Sequence, residues 1–308
     1  MISAVIPMYN EEKNVGELHR ELLAVLEKLA QPFEIIFVND GSVDGTLTEL
    51  KKLRPAKIIS FTKNFGQTAA FDAGFKAAKG EIIVSLDGDL QNDPVDISRL
   101  LAKLDEGYDV ICGWRRDRKD TVSKRFFSYG ARLLRKWLLS DSVHDAGCSL
   151  RVYRREAIQW LDLYGEMHRF IPSIIALRGF RVSELPVNHR ARKFGVTKYN
   201  WQRVLKSMTD MVALWFWFRF SNRPVHLFGG VGIVSFLAGF VMTIYFFIIR
   251  FFFNASLAGR ILPIAALFLM MFGIQLFVSG LLADILVKNY YNTSRSKNYF
   301  IREIIENS

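Results

Sequence analysis

Residues 33–61, FEIIFVNDGSVDGTLTELKKLRPAKIISF, decide the fold class of this 308-residue chain. The apolar runs at residues 34–38 and 57–61 have the length of buried strands and are bounded by turn residues. Between them, residues 44–53 have the spacing of an amphipathic helix. This order predicts a βαβ unit, in which two parallel strands are joined by a right-handed crossover.

The same alternation covers the first 112 residues. Further strands are predicted at residues 3–8, 81–86 and 108–112, and further helices at residues 12–29, 66–78 and 94–106. This pattern predicts an α/β fold with a mostly parallel sheet. Because ligands bind at the carboxyl ends of the strands in such sheets, the rule singles out Tyr9-Asn10-Glu11, Asn39-Asp40-Gly41, Lys63-Asn64 and Asp87-Gly88-Asp89.

The chain is less regular from residue 113 to residue 190. The patterns there predict a basic amphipathic helix at residues 123–139, strands at residues 148–153 and 181–187, and helices at residues 154–161 and 166–178. Residues 200–222 are rich in aromatic side chains with interspersed Arg and Lys, which favours a helix in the membrane interface over an ordinary buried helix.

Two segments near the C-terminus lack charged residues. Residues 225–249 and residues 261–283 contain no Asp, Glu, Lys or Arg, and a helix needs roughly 20 apolar residues to cross a bilayer. Residues 250–260 are too few for a domain, so the spans form a hairpin. Residues 178–223 carry ten basic and two acidic side chains. This charge places both chain ends in the cytoplasm.

The net charge of +11 is also concentrated in residues 113–139, which hold nine basic and two acidic residues. Such a segment is either a solvated or juxtamembrane face or a site for phosphate groups or anionic lipid. A nucleic-acid partner fits the charge but not two membrane spans.

Other classes of site find no support in the sequence. Cys112 and Cys148 lack CxxC spacing and a neighbouring His cluster, so neither a zinc site nor a disulfide framework is predicted. The first βα turn lacks GxGxxG, which disfavours a dinucleotide cofactor, and the absence of GxxxxGK[ST] excludes a P-loop.

The strongest candidate site is SLDGDLQ, residues 85–91, at the end of a predicted strand. Asp87 and Asp89 can converge if the backbone turns at Gly88. Two carboxylates repel unless a cation lies between them, and Mg²⁺ or Mn²⁺ takes oxygen ligands from one or two carboxylates and from phosphates. The alternative is a cap for the next helix, which Asn92 or Asp93 can already provide.

The other strand ends carry weaker signals. Asp40, in VNDGSVDG, can accept hydrogen bonds from a base or ribose, and Tyr9, in PMYNEE, can pack on a base. Alone, each segment reads as an ordinary turn. At the same sheet edge as the aspartate pair, they favour a nucleotide site.

At this point the chain resembles a known family. The segments PMYNEE, VNDGSVDGT and LDGDLQ, in this order, are similar to those of family 2 glycosyltransferases with a GT-A fold. The segments FTKNFGQTAAFDAGFKAAKG, DAGCSLRVYRREA and RARKFGVTKYN resemble the polyprenyl-phosphate (dolichol-phosphate-type) branch. The resemblance covers essentially the whole chain. One departure is Gly147-Cys148-Ser149, where relatives often have Ser-Gly-Phe.

The resemblance implies a nucleotide site and a metal site at the strand ends. The residues expected to bind the nucleotide sugar there are Pro7, Tyr9, Glu11, Asp40, Asp87 and Gly88. Asp89 and Gln91 are expected to bind Mg²⁺ or Mn²⁺, and Asp87 and Asp89 count among the catalytic residues.

The resemblance also implies roles for basic residues. Arg115 is expected near the reacting phosphates as a catalytic residue, and with Lys124 and Arg125 it is expected to bind the lipid phosphate. Arg192 and Lys198 match a late family segment, with Thr in place of Ser, that is expected to close over the donor diphosphate.

The chemistry of the acceptor predicts a direct reaction. A phosphate monoester is already ionised near pH 7, with a second pKa of about 6, so it needs positioning by Arg and Lys rather than a general base. We therefore expect one displacement at C1 with inversion.

The predicted layout has four parts. Residues 1–199 form a cytosolic GT-A domain with a Rossmann-like, mostly parallel sheet, residues 200–224 form interfacial helices, residues 225–288 form the transmembrane hairpin (spans 225–249 and 261–287), and residues 289–308 form a cytosolic tail. This describes a multi-pass protein of the cell inner membrane whose partners are a nucleotide sugar, polyprenyl phosphate and the bilayer. The resemblance adds self-association through the membrane helices.

Two alternatives remain open at this stage. A processive polysaccharide synthase shares the GT-A core, but its relatives resemble one another in a Gln-x-x-Arg-Trp motif that this chain lacks. A non-catalytic membrane scaffold could bind nucleotide alone, but it would not require the set Asp87, Asp89 and Gln91.

Overall fold

The structure is a computed structural model that describes residues 1–115, 143–191, 193, 211–212, 215–216, 224–254, 261–293 and 301–307. The predicted helix at residues 123–139 and most of residues 200–222 lie outside the described residues. The chain divides into two compact units, one of Met1–Val212 with Lys297–Ser308 and one of Ala213–Ser296.

The first unit is built on an eight-stranded mixed sheet. Its strands are β1 (Ile2–Met8), β2 (Phe33–Asn39), β3 (Ala56–Phe61), β4 (Ile82–Ser85), β5 (Val110–Trp114), β6 (Arg151–Arg154), β7 (Val182–Pro186) and β8 (Ile301–Asn307). Their spatial order is β7-β5-β6-β4-β1-β2-β3-β8. The pairs β4–β6, β5–β6 and β3–β8 are antiparallel and the other four are parallel.

Short helices connect these strands. They are α1 (Val15–Lys28), α2 (Thr46–Leu50), α3 (Gln67–Ala77), α4 (Asp96–Asp105), α5 (Arg155–Ile158) and α6 (Ile171–Leu177), with a 3₁₀ turn at Met167–Arg169. In this unit, each described strand and helix predicted from the sequence is confirmed in type and order, with boundaries within three residues. The predicted helix at residues 166–178 is divided between the 3₁₀ turn and α6.

The core lies on both sides of the central strands. All seven residues of β1 are buried, as the continuous apolar character of a parallel strand covered on both faces requires. Helix α1 buries Leu18, Leu22 and Leu26 against this sheet, at the spacing of one helical face. The packed centre fixes the ends of β1, β2 and β4, where the candidate site lies.

Strand β8 was not predicted from the sequence. It follows the second apolar segment and pairs antiparallel with the edge strand β3. Lys57 Nζ lies 3.0 Å from Glu306 Oε1 across this pair. The chain thus leaves the sheet unit once, after β7, and returns to it for its last strand.

The second unit contains two long helices, α7 (Pro224–Phe252) and α8 (Ile261–Thr293). By length and composition, Pro224–Phe252 and Leu262–Leu286 are sufficient to cross a membrane. The helices pack through small residues, because a Cβ on Gly273 would lie only 2.5 Å from the carbonyl oxygen of Gly232. The predicted pair of apolar helices forming a hairpin is confirmed.

Candidate active site

The carboxyl ends of β4, β1 and β2 lie side by side. In the register of the sheet Val5 pairs with Ser85, and Met8 pairs with Asn39. The backbone N–H of Asp40 donates to Met8 O at 2.8 Å. The sheet therefore brings the segments at residues 7–11, 40–41 and 87–91 to one edge, as the sequence predicts.

The turns after β1 and β2 are tied together by hydrogen bonds. Asn10 N donates to Ser42 Oγ at 3.0 Å, and Val43 N donates to Asn10 Oδ1 at 2.9 Å. Glu11 N donates to Thr46 Oγ1 at 2.9 Å. Asn10 has a φ of 54°, a left-handed conformation that Asn tolerates better than most residues. Residues 9–11 thus form a fixed loop at this edge.

Asp40 is engaged by the protein itself. The residue is 3% exposed, and its carboxylate accepts hydrogen bonds from Asn64 Nδ2 (2.9 Å), Phe65 N (2.7 Å) and Gly66 N (3.0 Å). Gly41 has a φ of 63°, and a Cβ there would lie 2.2 Å from the backbone of Lys63. Asp40 therefore shapes the loop between β3 and α3.

Asp87 and Asp89 have a different environment. Asp87 keeps some exposed surface, but protein atoms surround its carboxylate, which accepts a hydrogen bond from Gln67 Nε2 at 2.6 Å. Desolvation by burial and the charge of Asp89 raise the pKa of Asp87 from 3.8 to about 6, against the effects of Ser149, Arg115 and Arg151. The two carboxylates repel, and a cation beside them would relieve that repulsion.

Glycine is needed at position 88 because the backbone is closely packed there, and not because the residue has a left-handed conformation. It is absent from the residues with positive φ, whereas Leu90 has a φ of 61°. A Cβ at position 88 would lie 2.3 Å from Met8 Sδ and 3.0 Å from Pro7 O. The chain turns at residues 88–89, as expected, but Gly88 does not supply this turn through a positive φ; glycine is required there because β1 approaches so closely.

Gln91 lies beside a histidine that the sequence analysis missed. Its Nε2 is 3.5 Å from His189 Nε2 and 3.5 Å from Arg190 O, and its backbone N–H donates to Asp89 Oδ1 at 3.1 Å. Asn92 and His189 form an isolated β-bridge. The segment after β7 therefore runs alongside the acidic motif.

These donors fit a divalent ion that also binds substrate. A carboxylate at Asp89 and an amide oxygen at Gln91 are ligand types used by Mg²⁺ or Mn²⁺, and the imidazole of His189 lies beside Gln91. Within the described residues, no group of three His, Cys, Asp or Glu side chains forms a metal cluster on its own. An ion here would take further oxygen ligands from phosphate and water, as is usual for Mg²⁺.

Arg115 is held by a carboxylate that the sequence analysis did not single out. Its Nε donates to Asp145 Oδ2 at 2.6 Å and its Nη2 donates to Asp145 Oδ1 at 2.9 Å. Both side chains are 13% exposed. A bidentate pair of this kind fixes the plane of the guanidinium. The positive charge of Arg115 lowers the pKa of Asp87, opposing burial, so Arg115 belongs to the same electrostatic site.

Comparisons with known proteins agree with this geometry. The family model described as Glycosyl transferase family 2 matches residues 3–161, which is more than half of the 308 residues. The chain belongs to glycosyl transferase family 2.

Two relatives of this family 2 protein are similar over nearly its whole length. One is the dodecaprenyl-phosphate galacturonate synthase of Rhizobium johnstonii, 35% identical over 99% of this chain and 93% of that protein. The other is the undecaprenyl-phosphate 4-deoxy-4-formamido-L-arabinose transferase of Salmonella paratyphi A, 32% identical over 99% of this chain and 93% of that protein.

A solved structure is similar in fold. Glucosyl-3-phosphoglycerate synthase from Mycobacterium tuberculosis, in complex with Mn²⁺, uridine diphosphate and phosphoglyceric acid, has a TM-score of 0.54 at 19% identity. The match covers 70% of this chain and 77% of that one. This likeness confirms the mostly parallel, GT-A-like sheet of the family 2 domain.

Arg151 is a second site residue that the sequence analysis missed. It is 3% exposed, and its guanidinium donates to two backbone carbonyls, His168 O at 2.8 Å and Ala146 O at 2.6 Å. Among the described residues it forms no ion pair, and its Nε has no hydrogen-bond partner. Its charge lowers the pKa of Asp87, opposing burial. The family 2 site thus has buried positive charge behind its acidic pair.

Four predicted residues cannot be placed. Lys124, Arg125, Arg192 and Lys198 lie outside the described residues. The signal that would have found Asp145 and Arg151 is the segment DAGCSLR, which combines an acid and a base next to a strand. For His189, the signal is its position just after a strand that ends near the same edge.

Proposed function

We propose that this protein transfers a sugar from a UDP- or GDP-linked donor to polyprenyl phosphate and leaves a lipid-phosphate-linked sugar at the cytoplasmic membrane face. The observation that carries this proposal is the 35% identity, over 99% of the chain, to a dodecaprenyl-phosphate galacturonate synthase. Two helices long enough to cross a membrane support a lipid acceptor.

The donor is assigned to the edge formed by β4, β1 and β2. Asp89 and Gln91 would hold Mg²⁺ or Mn²⁺, as Mn²⁺ accompanies uridine diphosphate in the glucosyl-3-phosphoglycerate synthase complex. The bound ion would neutralise charge that develops on the departing diphosphate. Asp87 would lie by the ribose and diphosphate with Gly88, and Pro7, Tyr9, Glu11 and Asp40 would form the nucleotide pocket.

The acceptor phosphate is assigned to the positive side of the site. Arg115, oriented by Asp145, would direct its remaining N–H groups to the phosphate, because a guanidinium has five donors and Asp145 occupies only some of them. Lys124 and Arg125 would add positive charge, and Arg192 and Lys198 would contact the donor diphosphate. No side chain is assigned as general base, and the product has the inverted anomeric configuration.

The connectivity of the chain supports the proposed membrane arrangement. The chain up to Val212 and the strand after α8 both belong to the sheet unit, so two crossings by α7 and α8 would keep the sheet on one side of the membrane. The basic flank before residue 225 assigns that side to the cytoplasm. In this arrangement residues 1–199 form the catalytic domain, residues 200–224 lie at the interface and residues 225–288 span the inner membrane.

The proposal is tested with the purified full chain in detergent or nanodiscs. UDP- and GDP-sugars, each radiolabelled, are incubated with undecaprenyl phosphate and Mn²⁺, and the organic extract is counted. We expect one donor to label the lipid, and its product to carry the opposite anomeric configuration by NMR. Undecaprenol without phosphate is the matched control acceptor and should remain unlabelled. Absence of lipid labelling with every donor, or equal labelling of undecaprenol, would overturn the proposal.

A further inference from the structure

A charged anchor joins three elements beside the acidic motif. Arg190 Nη1 donates to both carboxylate oxygens of Glu21 on α1, at 2.9 and 2.7 Å. Its Nη2 lies 2.8 Å from Asp93 Oδ1, in the loop after β4. Isolated surface ion pairs contribute little, but a guanidinium shared by two carboxylates combines fixed geometry with charge.

The backbone of the same residue contacts Gln91. Arg190 N donates to Gln91 O at 2.8 Å, and Gln91 Nε2 donates to Arg190 O at 3.5 Å. Since Arg190 O is an acceptor only, it selects the amide nitrogen of Gln91 and turns Oε1 away from Arg190. An amide oxygen, unlike an amide nitrogen, can bind a hard cation.

Further contacts hold the segment after β7: a hydrogen bond, a β-bridge and an ion pair. Asn188 N donates to Asp96 Oδ2 at 2.7 Å, and His189 forms a β-bridge with Asn92. Lys193 pairs with Glu17, one turn before Glu21 on α1. The guanidinium of Arg190 is the group that links this segment to both α1 and the loop that follows Gln91.

We infer that Arg190 is a positioning residue for the divalent-cation site, because it clamps the segment that contacts Gln91 between Glu21 and Asp93 and so fixes Gln91 two residues after Asp89. This inference rests on the proposed function only in taking Asp89 and Gln91 as the metal site. Arg190 itself does not touch the ion. Outer partners that orient metal ligands typically change metal affinity by 10–100-fold when they are removed.

The test measures Mn²⁺ binding to the full chain in detergent by electron paramagnetic resonance, with Mn²⁺ alone and with Mn²⁺ and UDP. We expect Arg190→Ala to raise the Mn²⁺ dissociation constant about tenfold. Arg190→Lys should restore only part of the affinity, since an ammonium is a point charge without the planar fork. The matched control, compared with Mn²⁺ alone, is Lys193→Ala, which also loses a pair with α1 but has no contact with Asp93 or Gln91 among the described residues. Its Mn²⁺ affinity should stay within about twofold of wild type.

A double-mutant cycle with Glu21→Gln separates positioning from general stability. If Arg190 acts through Glu21, the double variant Arg190→Ala with Glu21→Gln should raise the Mn²⁺ dissociation constant by less than the product of the two single-variant fold-changes. A lower melting temperature for Arg190→Ala with unchanged Mn²⁺ affinity would overturn the inference and leave the proposed function intact. If wild type itself takes up no Mn²⁺, with or without UDP, the metal assignment fails and the inference fails with it. Should Arg190→Ala not fold, Arg190→Lys and Glu21→Gln give the same readout.

Discussion

Asp40 and Asp87 occupy equivalent places in the fold and have opposite surroundings. Each follows a buried strand that flanks β1, and each is followed by glycine. The carboxylate of Asp40 accepts three hydrogen bonds from residues 64–66. Asp87 has a second carboxylate two residues away, and burial with the charge of Asp89 raises its pKa to about 6.

This difference separates a carboxylate that stabilises the fold from a pair that destabilises it. Hydrogen bonds from backbone and side-chain donors favour an ionised carboxylate, so Asp40 contributes to the order of its loop. Two neighbouring carboxylates oppose ionisation, which a protein tolerates chiefly where function needs it. The comparison therefore supports the proposal that a cation binds at Asp89, where it would relieve the repulsion from Asp87, while Asp40 orders its loop within the proposed nucleotide pocket.

The largest expected effect concerns Asp89. Asp89→Ala should lower the rate of sugar transfer to undecaprenyl phosphate by about 10³-fold, as expected for loss of one electrostatic contact to the transition state. The measurement is initial rate with the preferred donor at saturating Mn²⁺. Asp105→Asn, at the exposed end of α4, is the control and should be unchanged. A wild-type rate of sugar transfer for Asp89→Ala would contradict the functional contrast between Asp40 and the Asp87–Asp89 pair.

A smaller effect is expected for Asp40. Asp40→Ala leaves Asn64 Nδ2, Phe65 N and Gly66 N without their acceptor, at a cost of about 2–3 kcal/mol. The measurement is the melting temperature of the metal-free protein in detergent, which should fall by several degrees. The opposite pattern, an unchanged melting temperature with lost UDP binding, would place Asp40 in the nucleotide site alone.

The third substitution is expected to stabilise the protein, whereas the first two are expected to lower activity or stability. Asp89→Asn removes the repulsion that, after burial, raises the pKa of Asp87. It should stabilise the metal-free protein at pH 8 by about 1 kcal/mol, since one pKa unit corresponds to about 1.4 kcal/mol. The check is again the metal-free melting temperature. A destabilised Asp89→Asn protein would show that the pair is not strained without a cation.

The pH dependence of the same proteins sharpens this result. The pKa of Asp87 is raised from 3.8 to about 6 on folding, so between these values the folded state binds the proton more tightly than the unfolded state. The contribution of Asp87 is therefore most favourable below pH 4 and is lost as pH rises through about 6. Melting temperatures from pH 5 to pH 8 should show this loss to be smaller in Asp89→Asn than in wild type.

The sequence predicted this sheet edge but not the surroundings of its carboxylates. Alternating strands and helices place Asp40, Asp87 and Asp89 together, because a parallel sheet aligns the strand ends. Whether a carboxylate is satisfied depends on residues distant in sequence, such as Asn64 for Asp40 and Gln67 for Asp87. Local pattern contains no information on such partners.

Three other features escaped sequence reasoning for related reasons. Strand β8 has the short, charge-interrupted sequence IREIIEN, and only pairing with β3 makes it a strand. Asp145 pairs with Arg115 across 30 residues. The role of Gly88 depends on the closeness of Met8 in the neighbouring strand. Each follows from tertiary contacts, which override local propensity.

The smallest expected effect concerns Gln67, the side chain that donates to Asp87 Oδ1 at 2.6 Å. Gln67→Leu removes a donor that favours the ionised carboxylate, so it should raise the pKa of Asp87 further and cost about 0.5–1 kcal/mol at pH 8. At pH 5 most Asp87 is protonated and loses little from the missing donor, so the cost should nearly vanish. The measurement is the difference in melting temperature from wild type at the two pH values, with Gln159→Leu at an exposed position as control. An equal loss of melting temperature at both pH values would mean that Gln67 stabilises the protein by packing. The surroundings of Asp87 and Asp40 would then differ only in the charged neighbour of Asp87, which is Asp89.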